Sequence, residues 1–104
     1  MRLTGSASFN TRKFTMLMTT EGLMVPTIHM NGTSRESLIE QLCNAVDAMH
    51  DAGKLLAAAA PNGRDYYPQG NDAIYKASKD HEARMASLRK IIDELSAIAY
   101  EIGA

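Results

Sequence analysis

The side chains with the most chemical capacity in this 104-residue chain crowd into one stretch, Pro61-Asn62-Gly63-Arg64-Asp65-Tyr66-Tyr67-Pro68-Gln69-Gly70-Asn71. Arg64 carries a planar fork of N–H donors suited to a phosphate or a carboxylate. Tyr66 and Tyr67 offer π faces on which a nucleobase can stack, plus hydroxyls. Asn62, Asp65 and Gln69 can read the polar edge of a ligand. Together they describe a site for a small anionic ligand such as a nucleotide. A structural reading uses the same residues: Tyr67-Pro68 stacks locally, Arg64 and Asp65 cap helix ends, and the tyrosines cover the open end of a helical bundle. Both readings stand on the sequence alone. A connector of this length exceeds what a tight helical turn needs, and long ordered connectors often carry function.

Catalytic templates fail elsewhere in the chain. The sequence holds no G-x-S-x-G, no phosphate loop ending in GK[ST], no H-E-x-x-H and no paired cysteines with histidines at zinc spacing. A single cysteine, Cys43, excludes an internal disulfide framework and a C-x-x-C site. It stands beside Leu42 and reads as a small core residue. His50 follows seven residues later, about 10.5 Å along a helix axis, too far to act as its base. The remaining arrangement of interest pairs two histidines. A helical hairpin symmetric about Tyr66 sets His50 level with His81, with Asp47 and Glu82 close by. Bundle metal sites are built from such groups, but they require Glu-x-x-His, and Ser78 occupies that place before His81. The expectation is a protein that is not an enzyme and has no metal and no cofactor.

Two long helices must position the connector. Thr33-Ser34-Arg35-Glu36 fits a capping box, with the Thr33 hydroxyl accepting from the Glu36 amide. Apolar or small residues then recur at Ile39, Leu42, Val46, Met49, Gly53, Leu56 and Ala60 in alternating steps of three and four, a heptad seam. Pro61 cannot continue the helix. The second helix begins at Asn71 or Asp72 and carries the seam Ile74, Ala77, His81, Met85, Leu88, Ile92, Leu95, Ala99 and Ile102 up to the stop signal Gly103. Helices of about 34–60 and 72–102 run roughly 40 and 45 Å. One short connection between two long rods gives a mainly α fold, an antiparallel helical hairpin. Residues 1–104 form a single domain, with the hairpin at 33–104 and an N-terminal extension at 1–32. In that extension Phe14, Met16 and Met18 alternate with polar or apolar neighbours as in a strand. Thr20-Glu21-Gly22 reads as a turn and Leu23 to Met30 as a second strand, with Pro26 confining it to an edge. A short β-hairpin or an irregular segment is expected there.

Composition bounds the rest. Hydrophobic residues make up 45% and charged ones 22%, with a net charge of −1. The longest apolar run, Leu55 to Ala60, is six residues, against the roughly 20 a membrane span needs. Neither a secretory signal nor a membrane segment is read from it, which places the chain in the cytoplasm. Eleven basic against twelve acidic residues give no long-range attraction to nucleic acid, and no aromatic platform accompanies the basic half of the second helix. Leu38, Leu55, Ile91 and Ile98 widen the apolar faces beyond what two helices cover. A homodimer forming a four-helix bundle, or cover from the N-terminal segment, is the expected outcome. Gly53 within the seam is either a tolerated defect or a point of close helix approach.

Asn31-Gly32-Thr33-Ser34-Arg35-Glu36, followed by Pro61 to Gly70, resembles a group of small helical proteins encoded by phages and prophages. The resemblance spans roughly Pro26 to the C-terminus and carries no assigned activity, so it implies no catalytic residues. It implies a helical accessory protein in a bacterial host cytoplasm. Small phage proteins of this size include some that sequester a nucleotide signal of host defence and others that bind a host protein. The expected function is a non-enzymatic accessory protein that holds a small anionic ligand through Arg64, Tyr66, Tyr67 and Gln69, with Asn62 and Asp65 alongside. The alternative is an interaction or structural module that docks a host or virion protein.

Overall fold

The computed structural model describes residues 19–103. They form α1 (Arg35–Ala58), a single-turn α2 (Gly63–Tyr66), a 3-10 turn (Tyr67–Gln69) and α3 (Ala73–Gly103). With 24 and 31 residues, α1 and α3 run about 36 and 46 Å and pack against each other as an antiparallel hairpin. Among the described residues there is no strand, and no helix is long and apolar enough to cross a membrane.

The heptad seam is the buried stripe. Val46 is fully buried, and Ala99 and Ile102 are nearly so. Ile39, Leu42, Met49, Gly53 and Leu56 on α1, and Ile74, Ala77, Met85, Leu88, Ile92 and Leu95 on α3, are half-buried. Ala60 is exposed, because α1 has already ended before it reaches the seam.

The start of α1 differs from the capping box expected at Thr33. Ser34 is the N-cap, with extended φ −66° and ψ 156°, and its hydroxyl accepts from the Ser37 amide at 3.1 Å. With the cap at Ser34, the third helical residue is Ser37, so Glu36 falls one position short of the reciprocal bond. Glu36 still favours the positive end of the helix from the first turn. The hydroxyl cap is worth about 1 kcal/mol.

The register also differs from a hairpin symmetric about Tyr66. A Cβ built on Gly53 would stand 3.5 Å from Leu88 Cδ2, and one built on Gly103 would stand 3.5 Å from Ile39 Cδ1. Gly53 therefore faces Leu88 and Ile39 faces Gly103, which moves the centre of the hairpin from Tyr66 to the neighbourhood of Gly70. By this register α3 extends about three turns past the end of α1. The connector is the reason. It is folded rather than irregular: the Asn62 side chain caps α2 by accepting from the Arg64 amide at 2.9 Å. Pro68 then lies in the 3-10 turn, and Gly70 reverses the chain at φ 119°. Its residues are spent on a return path along the overhanging start of α3.

Two turns organise the described part of the N-terminal segment. Leu23 N–H bonds Thr20 C=O at 2.8 Å, around Gly22 at φ 83°, the positive φ that the third position of a type II turn requires. The turn expected at Thr20-Glu21-Gly22 is therefore present. The strand expected from Leu23 to Met30 is not: Pro26 removes a donor, none of the described residues pairs with the segment, and a turn closed by Gly32 N–H on His29 C=O at 3.1 Å ends it. The partner strand, Phe14 to Met18, lies outside the described residues. The Thr20 hydroxyl donates to Glu101 Oε1 at 2.6 Å, which fixes the segment to the C-terminal part of α3. Glu101 and the buried Ala97 both lie about 160° around α3 from Ala99 on the seam. The N-terminal segment thus crosses the back of α3 while α1 covers its front.

Gly53 is a tolerated defect in the seam. A methyl group there meets Leu88 at an ordinary van der Waals distance, and alanine is the better helix former. Gly53→Ala is expected to raise unfolding free energy by about 1 kcal/mol, read as a higher urea midpoint at unchanged slope. A lower midpoint would show that the helices need the missing Cβ.

Candidate functional site

The return path of the connector leaves an open surface cavity of about 270 Å³ against the overhang of α3. Pro61, Tyr66 and Gln69 wall it from the connector, and Ala73, Lys76, Ala77, Asp80 and Arg84 from the helix. Steps of three and four residues put these helix positions on one face. Tyr66 is half-buried at the groove, while Lys76 and Arg84 are exposed along it.

Electrostatics in the cavity centre on Asp80. Lys76 Nζ donates to Asp80 Oδ1 as an i, i+4 ion pair. That hydrogen bond holds the Asp80 carboxyl below the ordinary carboxylate range; partial desolvation opposes it, and the charges of Lys76 and Arg84 reinforce it. Two cations against one carboxylate leave the lining with one net positive charge. An anion is attracted, a hydrogen-bond donor is met by Asp80, and a planar ring has an aromatic wall.

The structure brings together only part of the sequence-derived set. Tyr66 and Gln69 line the cavity. Asn62 is engaged as the α2 cap. Arg64 and Asp65 are exposed on α2 and outside the lining, and Tyr67 is 71% exposed. The cations at the cavity are Lys76 and Arg84, which the sequence reading treated only as part of a basic half-helix. Their signal is the spacing Lys76-Asp80-Arg84, one residue per turn, directly after the connector. What it lacked was the register that lays the connector on that face.

The histidine pair does not form. His50 is exposed at the lip of an interhelical groove of about 460 Å³ floored by Met49, Gly53, Met85, Leu88 and Ile92. His81 is buried, and its Nε2 has no hydrogen-bond partner. The observed register separates them by about ten residues along the hairpin, roughly 15 Å. Among the described residues no group of three or more His, Cys, Asp or Glu side chains is placed to hold a metal ion. Cys43 is half-buried beside the seam, as a small core residue would be.

No family model matches the chain, and comparison with curated proteins and with solved structures finds no match.

The lowered Asp80 pKa has a defined sign. Because the folded value lies below the unfolded one, the Lys76–Asp80 pair contributes fully above the unfolded pKa, and its contribution drains away as pH falls through the folded value. The Asp80 carboxyl carbon, followed by NMR, is expected to titrate below the reference 3.8. In Lys76→Met the midpoint should move up toward that reference. A wild-type midpoint above the reference would mean that the pair does not form in solution.

Proposed function

We propose that this chain is a non-enzymatic accessory protein, of the phage or prophage type its sequence resembles, that binds a small anionic ligand at the connector. A nucleotide fits the chemistry best. The supporting observation is the meeting of Tyr66 and Gln69 with Lys76 and Arg84 around one cavity with a net positive lining. Arg84 takes the anion-pairing role that the sequence suggested for Arg64, and Tyr66 supplies the stacking face. Binding to the folded state raises the melting temperature by mass action. A panel of nucleoside mono- and triphosphates with inorganic phosphate is expected to include at least one member that does so. Arg84→Ala should abolish that shift while Arg64→Ala preserves it. No shift with any member, or loss of the shift in Arg64→Ala alone, would remove the cavity as the ligand site.

A second reading, a docking module for a host or virion protein, draws on the outward Tyr67 and Tyr75, which are 71% and 70% exposed. Exposed tyrosines near an arginine are the residue types that dominate protein interfaces. The same reasoning supports self-association: Leu55 and Ile91 remain 74% and 44% exposed after α1, α3 and the N-terminal segment have packed. A homodimer burying them is expected to show, by light scattering, a mass twice the 11.4 kDa of one chain. A single-chain mass at millimolar concentration would exclude it.

A further inference from the structure

The hairpin carries an apolar groove that neither the connector nor the described part of the N-terminal segment lines. It runs between α1 and α3, about 460 Å³ in volume, with Met49, Gly53, Met85, Leu88 and Ile92 along its floor. These side chains belong to the seam, yet they stay only half-buried. Arg89 and Asp93 form the rim on the α3 side. The same two residues, with Ala86, line the cleft that Thr19 shares. The chain therefore enters its described part at the edge of the groove.

Eighteen residues precede Thr19. The last five of them, Phe14-Thr15-Met16-Leu17-Met18, are apolar at every position but Thr15. In an extended stretch Phe14, Met16 and Met18 share one face, and methionine fills irregular apolar hollows well. Five extended residues reach about 16 Å, while the floor from Met85 to Ile92 spans about 10 Å of helix axis. Charge sets the direction of crossing. The preceding residues hold Arg2, Arg12 and Lys13 and no carboxylate. On the α1 side the rim is His50, and Asp47 and Asp51 lie about 60° and 100° further round that helix. A chain that crosses from Asp93 toward His50 brings Arg12 and Lys13 to this acidic flank.

We propose that residues 14–18 of the same chain occupy this groove, so that the N-terminal segment closes the hairpin on a second side. Phe14, Met16 and Met18 cover Met49, Met85 and Ile92. This occupant is independent of the ligand reading, because the groove and the connector cavity share no lining residue.

Methyl NMR of the full chain, labelled with carbon-13 on its methionine methyl groups, tests this, with signals assigned through Met16→Leu, Met18→Leu, Met49→Leu and Met85→Leu. Nuclear Overhauser contacts are expected between the methyl of Met16 or Met18 and that of Met49 or Met85, unchanged on dilution. Phe14→Leu should shift the Met49 or Met85 methyl as the ring current is lost, with circular dichroism verifying that α1 and α3 are intact. No contact across the groove, or Met49 and Met85 signals unmoved in Phe14→Leu, would overturn the placement. Contacts found only between labelled and unlabelled chains in a mixed sample would overturn it in favour of a second copy as the occupant.

Discussion

The seam between α1 and α3 is the constraint on which the rest of the molecule depends. With Val46 fully buried and Gly53 against Leu88, the observed register lets the apolar stripes of both helices cover each other. Shifting it by a turn would withdraw side chains along the whole stripe, at roughly 25 cal/mol for each Å² of apolar surface returned to water. That register leaves α3 longer than α1 at one end, and the connector must cover what overhangs.

This requirement reconciles the two readings of the connector. Its residues divide the tasks: Asn62 caps α2, Gly70 turns the chain, and Pro61, Tyr66 and Gln69 lie along α3. A segment laid over a helix face that carries Lys76, Asp80 and Arg84 cannot pack as an apolar cap, because those charges need water or a ligand. A partly polar cavity is the physical result. The covering role and the polar cavity therefore arise from one piece of packing.

The helix α3 is a central layer, with α1 on its front and the N-terminal segment on its back. Small side chains make the second contact possible: Ala97 is nearly fully buried on that back face, and Ala86 lines the groove beside Leu23. The Thr20–Glu101 hydrogen bond ties the segment down where α3 nears its end. Part of the apolar surplus of α3 is thus taken up within one chain, and Leu55 and Ile91 remain outside it.

The sequence by itself determined the elements whose causes are local. Apolar spacing marked both seams, Pro61 and Gly70 bounded the connector, and Gly22 marked its turn, because each depends on neighbours within a few residues. It placed the α1 cap one residue early, since Thr33 and Ser34 are both competent and only the backbone dihedrals choose between them. It also read a strand through Leu23 to Met30, where no partner strand stands among the described residues. The tertiary structure alone decided the register, and with it the separation of His50 from His81 and the exchange of Arg64 for Arg84 at the cavity. Heptad stripes repeat, so a slide of one whole heptad, two turns, preserves their pattern. Only the simultaneous fit of side chains along two facing helices, and the path the connector must then follow, selects one alignment.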